Sequence, residues 1–385
     1  MTALLVTNIG ELLTNDETVG DGSIVGRLRD AAIVIDDGRV VWHGASSSAP
    51  MADQAYDARG AAVVPGFVDS HTHAVFAGER SHEFEARMAG QRYDGGGIRS
   101  TVAATRAASD DELRTQSEAR VAALRAGGVT TMEMKSGYDL TVEGEARLVA
   151  LASSFTPEST FLGAHVVPEE FASRRDDYVR LVAGSMMDAC DQAKWVDVFC
   201  DRGAFSVDEA REIFLAAKAR GKDIRVHGNQ LGETGGVGLA VELGCASVDH
   251  CTFVSDADLE LLAGSDTVAT LLPGAEFSTK SPYPSGRRFL DAGVRVALAT
   301  DCNPGTSYVT SMGFVIALAV REMDMTVDEA LWSATRGGAH ALRRSDVGHL
   351  RIGARGDLVI LDAPRAAHLA YRPGSALVRD VLVAP

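Results

Sequence analysis

The chain has 385 residues, with 37 basic side chains against 53 acidic ones and a formal charge of −16. That balance argues against nucleic acid or an anionic membrane surface as the main partner, and it makes any anionic substrate depend on a local cationic clamp. Five cysteines without a C-x-x-C pair, no basic-then-apolar leader and no apolar run near the roughly 18 residues of a membrane span predict a soluble cytoplasmic protein with reduced thiols.

The first 60 residues read as β-structure. Ala32-Ile33-Val34-Ile35 and Arg39-Val40-Val41-Trp42 flank Asp36-Asp37-Gly38, a hairpin signal between β-favouring runs. Strand-like runs return at the other end, in Leu358-Val359-Ile360-Leu361 and from Ser375 to Val383. The two ends, 1–60 and 346–385, are therefore expected to build one small β-sandwich domain, with residues 61–345 inserted between them.

From Ala61 the pattern becomes strand, loop, helix, repeated. Candidate strands cover 62–68, 129–134, 160–164, 195–200, 224–226, 246–249, 268–272 and 294–300. Capping boxes at Ser109-x-x-Glu112, Ser206-x-x-Glu209 and Thr326-x-x-Glu329 open helices, and Gly127 and Gly221 suit helix ends. Eight strands alternating with helices predict a TIM-type (β/α)8 barrel, whose chemistry gathers at the C-terminal ends of the strands.

Those ends carry the unusual residues. The first strand runs into Ser70-His71-Thr72-His73, whose alternate residues share one side; others end in Lys135-Ser136-Gly137-Tyr138, His165, His227, His250 and Asp301. Five of the ten histidines thus terminate strands, a placement that a solvated or core-packed histidine has no reason to prefer. His71, His73, His227 and Asp301 offer three imidazoles and a carboxylate for one divalent metal, Zn2+ or Fe, with room for a water whose pKa it would lower from about 15.7 towards 7. Asp301 and His250 are the candidate proton carriers, His250 by virtue of an intermediate pKa; the bland reading of His250 is a satisfied core histidine. Lys135 raises the idea of a carboxylated lysine bridging two metals. It lies on the second strand, not near the fourth, so a single metal is favoured and Glu133 with Lys135 is expected to form a buried pair.

The segment Pro65-Gly66-Phe67-Val68-Asp69-Ser70-His71-Thr72-His73 and the later ligands resemble the amidohydrolase superfamily. Phe76-Ala77-Gly78-Glu79-Arg80, Gly95-Gly96-Gly97-Ile98-Arg99-Ser100-Thr101, Lys135-Ser136-Gly137-Tyr138, Phe161-Leu162-Gly163-Ala164-His165 and Thr300-Asp301-x-Asn303-Pro304-Gly305-Thr306 narrow the similarity to the imidazolonepropionase family within it. The resemblance runs through nearly the whole chain. It implies hydrolysis of the cyclic amide of 4-imidazolone-5-propanoate to N-formimidoyl-L-glutamate in L-histidine degradation, a small-molecule substrate, and a plausible homodimer. It also implies that Arg80, Tyr138, His165, Asn303, Gly305 and Thr306 hold substrate or product. A forked guanidinium suits a propanoate tail, although Arg80 could instead form a loop ion pair with Glu79 or Glu83.

Two departures from the family pattern stand out. Gly228-Asn229-Gln230 follows His227 where many members have Ala-Asp-Glu, so Gln230 can hydrogen-bond the ring but cannot act as a base. The run between Tyr93 and Gly95 is also shorter than in many members, a difference that falls on the lid beside the tail. The rivals are a related heterocycle deaminase using the same metal site and a non-catalytic scaffold on the same barrel; retention of all four ligands speaks against the scaffold.

Overall fold

Pro65-Gly66 divides what the sequence presents as one strand. In the computed structural model, which describes residues 3–91 and 97–384, strand 62–68 is split into Ala62–Pro65 and Phe67–Asp69. A Cβ on Gly66 would come within 2.1 Å of the Thr130 hydroxyl, so only glycine permits this crossing. Residues 92–96, which include the short run at Tyr93 and part of the Gly95-Gly96-Gly97 motif, lie outside the described residues.

In chain order the strands are β1 (Leu4–Leu13), β2 (Arg27–Asp36), β3 (Arg39–Ala45), β4 (Gln54–Asp57), β5 (Ala62–Pro65), β6 (Phe67–Asp69), β7 (Val129–Met132), β8 (Met134–Lys135), β9 (Ser159–Ala164), β10 (Trp195–Cys200), β11 (Asp223–Gly228), β12 (Ser247–His250), β13 (Val268–Leu271), β14 (Val296–Leu298), β15 (Leu358–Leu361) and β16 (Val378–Leu382). The chain divides into two compact units: residues 1–69, 123–131 and 311–385, and residues 70–122 and 132–310.

The first unit unites both chain ends. Its main sheet runs β16-β15-β5-β1-β2-β3, with β4 also paired to β1. The expected hairpin is there: Asp36 pairs with Arg39 across Asp37 and Gly38, whose φ values of 47° and 69° are those of a tight primed turn. Val6, Ile9, Leu12, Ile33, Val63, Leu358 and Ile360 form its apolar core. The strands from both termini thus belong to one hydrogen-bonded sheet of seven, and no second sheet facing it is defined among the described residues of these two segments.

The second unit holds a parallel sheet in simple sequence order, β14-β13-β12-β11-β10-β9-β8. Segment 71–73 joins its two edges. Lys135 N donates to Thr72 O on one side (3.0 Å), while Asp301 N donates to His71 O (3.1 Å) and His73 N to Asp301 O (3.0 Å) on the other. The sheet therefore curls until both edges meet on the histidine segment. Helices start as the sequence predicts, with reciprocal caps at Ser109/Glu112 and Ser206/Glu209. Ser255/Asp258 adds a cap that uses the shorter aspartate.

Candidate metal centre and substrate cavity

Segment 71–73 is extended, so His71 and His73 emerge together, and β11 delivers His227 beside them. His73 Nε2 lies 3.2 Å from His71 Nε2 and 3.1 Å from His227 Nε2. Asp301 Oδ1 is 3.6 Å from the Nε2 atoms of both His71 and His73. His250, at the end of β12, places its ring 5.4 Å from that of His227, and with His71 and His227 it forms a second group able to share an ion.

Burial first, then the charges around Lys135 and the other histidines, holds His71 and His73 well below the usual imidazole range, so both rings are neutral. His71 Nδ1 faces Asp249 Oδ2 at 2.7 Å and His227 Nδ1 faces Asp197 Oδ2 at 3.0 Å. A carboxylate takes a proton on Nδ1, which leaves the Nε2 lone pair bare. With Nε2 atoms 3.1–3.2 Å apart, the three rings converge on a point where one cation would be shared.

The charge count agrees. Lys135 and Arg225 are wholly buried against four buried carboxylates, Glu133, Asp197, Asp249 and Asp301, which leaves a formal −2. Burying net charge is costly unless it is paired, and a divalent cation closes this balance. The donor set therefore fits a divalent metal.

Beneath the histidines lies a chain of ion pairs that the sequence shows only in part. Lys135 Nζ is 2.9 Å from Glu133 Oε1, the expected pair, but also 2.9 Å from Asp197 Oδ2. Burial alone would raise the Asp197 carboxyl, yet His227 and Lys135 hold it well below the usual range. Arg225 likewise grips Asp249, whose carboxyl it holds low against the effect of burial. Asp197 and Asp249 were not among the predicted site residues. Their signal was legible, because Asp197 is a charge in an otherwise apolar strand and Asp249 directly precedes His250 at a strand end.

Five residues along these loops have left-handed backbone: Asn229 (φ 57°), His250 (82°), Cys251 (53°), Asp301 (68°) and Cys302 (36°). Such conformations cost on the order of 1–3 kcal/mol each and collect where geometry serves function. Burial, then His227, pushes His250 well below the intermediate pKa that its residue type suggests, so it is a neutral ring at physiological pH.

Beside the cluster opens a cavity of about 360 Å³ walled by, among others, Arg80, Tyr138, His165, Phe199, Arg202 and Asn303. His165 is pushed down to about 3, chiefly by burial, and its Nδ1 lies 2.9 Å from Gly137 O. It is thus a neutral ring that donates from Nδ1 and keeps Nε2 as an acceptor. Its ring stacks 5.3 Å from that of His73 and stands 5.2 Å from that of Tyr138. Glu145 fixes the Tyr138 loop by accepting from the backbone N–H groups of Gly137, Asp139 and Leu140 at 2.8–2.9 Å.

Asn303 Oδ1 accepts from Gly305 N (2.8 Å) and Thr306 N (3.2 Å), and Thr306 Oγ1 donates to Asp301 Oδ2 (2.8 Å). A Cβ on Gly305 would lie 2.2 Å from Arg80 Nη1, so glycine lets the guanidinium approach. Arg80 itself is buried and grips Glu83 through both arms of its fork, at 2.9 and 2.7 Å. The ion pair expected as the alternative for Arg80 is therefore present, with Glu83 as the partner, and the guanidinium also lines the cavity. Gln230 is buried in the turn after β11, where its N–H donates to Asp201 Oδ2 at 2.7 Å.

All five cysteines are buried free thiols, and no described helix is long and apolar enough to cross a membrane. The sequence profile of the Amidohydrolase family matches residues 62–384. An imidazolonepropionase of Mycolicibacterium smegmatis is 61% identical over 383 residues, covering 99% of this chain and 96% of that protein. One of Salinispora tropica is 60% identical, covering 99% and 98%. Among solved structures, a zinc-bound adenosine deaminase of Xanthomonas campestris shares the fold, with a TM-score of 0.72, 19% identity, and 99% and 91% coverage. The chain belongs to the amidohydrolase family and, within it, to the imidazolonepropionases.

Proposed function

We propose that this protein hydrolyses the ring amide of 4-imidazolone-5-propanoate to N-formimidoyl-L-glutamate in L-histidine degradation, with one divalent metal ion, Zn2+ or Fe, held by His71, His73, His227 and Asp301. The observation that carries this reading is the convergence of three histidine Nε2 atoms and Asp301 over a buried formal −2, beside a cavity sized for a small ring. In this reading the (β/α)8 barrel runs over residues 61–345, and residues 1–60 and 346–385 form the accessory β-domain. Lys135, an ammonium between two carboxylates, supports one metal without a lysine bridge.

Held by His71, His73, His227 and Asp301, a divalent cation would make hydroxide available near neutral pH and would polarise the amide carbonyl. Asp301 takes the proton of the attacking water and passes it to the departing ring nitrogen. Thr306, bonded to Asp301 Oδ2, orients that carboxylate. His250 orients the nucleophile as a neutral hydrogen-bonding ring and shares in the transfer. The Nε2 lone pair of His165 accepts from a ring N–H, while Tyr138, Gln230, Asn303 and Gly305 fix the ring plane. Arg80 forms part of the cationic wall.

The test is to mix the purified, metal-loaded protein with 4-imidazolone-5-propanoate and follow its ultraviolet absorbance. Loss of absorbance with formation of N-formimidoyl-L-glutamate is expected. A stable spectrum, or release of ammonia from a purine instead, would overturn the reading.

A further inference from the structure

Helix Asp110–Ala126 turns Leu113, Ser117, Arg120, Val121 and Leu124 inward, and a guanidinium thus takes a place on the stripe that helical periodicity gives to an apolar side chain. Arg120 is only 5% exposed, and among the described residues no carboxylate pairs with it. Burying an unpaired cation is costly, so its other contacts must offset that cost.

Those contacts converge on one segment. Nη1 donates to Ala74 O (3.0 Å) and Phe76 O (2.8 Å), Nε to the Tyr308 hydroxyl (3.1 Å), and Nη2 to Gln116 Oε1 (3.3 Å) one turn back. Ala74 and Phe76 follow directly on His73 in a buried stretch that belongs to no strand, so Arg120 supplies the donor that a neighbouring strand would otherwise give. Its Cζ also sits 3.4 Å from the centre of the Phe76 ring. Phe76 carries the arrangement onward. Its ring meets Tyr138 edge-on, with centroids 6.0 Å apart, and Tyr138 in turn stands 5.9 Å from His73 and 5.2 Å from His165. Tyr138 lines the cavity, whereas Arg120 and Phe76 stand behind it.

We infer that Arg120 is a positioning residue for the reaction: by clamping the Ala74–Phe76 backbone and the Phe76 ring, it fixes the Tyr138 ring against His73 and His165 at the wall of the ring site. The inference rests on the proposed function, in which Tyr138 helps to fix the substrate ring plane. Lysine could supply the charge here, but not a flat face on Phe76 together with donors aimed in three directions. Methionine could fill the volume, but it would leave two buried carbonyls without that donor.

The test is a double-mutant cycle on metal-loaded protein, pairing Arg120→Met with Tyr138→Leu, which removes the ring to be positioned. Steady-state kinetics with 4-imidazolone-5-propanoate, calorimetric titration with the unhydrolysed imidazole-4-propanoate and elemental analysis are read on each variant. Arg120→Met should raise KM and the analogue's Kd together by roughly tenfold, change kcat by less than about threefold, and act about twofold or less once Tyr138→Leu is present. Metal content should stay at about one per chain. A merely structural role would lower the melting temperature and the active fraction and leave KM unmoved. Arg120→Lys should show the same coupling at smaller size, and it alone decides should Arg120→Met fail to fold. Additive effects across the cycle, an unmoved KM, or loss of the metal in place of a raised KM would overturn the inference. Wild-type protein that neither binds the analogue nor turns over substrate would strike the proposed function itself, whereas additive cycles in an active enzyme strike only the role of Arg120.

Discussion

Asp301 and His250 divide the proton work unequally. Asp301 touches both the histidine cluster and Thr306, whereas His250 is neutral and offers a hydrogen bond more readily than a stored proton. Asp301→Asn and His250→Asn should each lower kcat on the order of a hundredfold or more, while Gln230→Ala should act mainly on KM; steady-state kinetics with metal content measured in parallel would check this. A normal KM with lost kcat in Gln230→Ala, beside a nearly active His250→Asn, would reverse the assignment. Glu276 makes a different kind of prediction. Burial raises its carboxyl from 4.5 to about 7, and Thr252 Oγ1 donates to it at 2.6 Å. The folded state therefore holds this proton more tightly than the unfolded chain does. The resulting stability is fully present below about pH 4.5 and is lost as pH rises towards 7. Glu276→Gln should raise stability at pH 8 by up to about 3 kcal/mol and change it little at pH 4, as read from thermal melts at both values.

At the scale of elements, strand ends supply the ligands and the strands beneath them supply the charges that orient those ligands. Lys135 on β8 bridges Glu133 and Asp197, and Asp197 faces His227. Lys135→Met would leave two buried carboxylates uncompensated, so a loss of about 3–5 kcal/mol is expected. A fall in metal affinity of about 10–100-fold should accompany it. Denaturant melts and metal competition measure the two separately, and unchanged metal affinity would detach Lys135 from the site. Glu145, in helix Val142–Ser153, plays the corresponding part for the Tyr138 loop. An amide offers one acceptor oxygen where the carboxylate offers two. Glu145→Gln should therefore cost about 1–3 kcal/mol and raise KM, whereas a change in kcat alone would contradict a purely positioning role.

For the whole molecule, binding of a divalent ion to the folded state links metal to stability. Chelation should lower the melting temperature, and free metal at 100 times its Kd should restore about 2.7 kcal/mol. Calorimetry with elemental analysis would check this, with about one transition metal per chain expected; two at full occupancy would end the mononuclear reading.

Residue type and local order by themselves determined much of this protein. Alternation in an apolar run put His71 and His73 on one side, period and caps marked the parallel strands and their helices, and Asp36-Asp37-Gly38 marked a turn, because these are short-range properties of the backbone. Which groups meet across the fold was decided only by tertiary structure. The curling of the sheet brings Asp301 to His71, and it sets Asp249 and Asp197 behind His71 and His227. Burial turns His250 from an intermediate-pKa residue into a neutral ring, and Glu83 occupies the fork of Arg80. The division of strand 62–68 at Gly66 depends on Thr130, a residue more than sixty positions away. Desolvation, charge pairing and close approach depend on distance in space, and a linear pattern carries that only after the chain has folded.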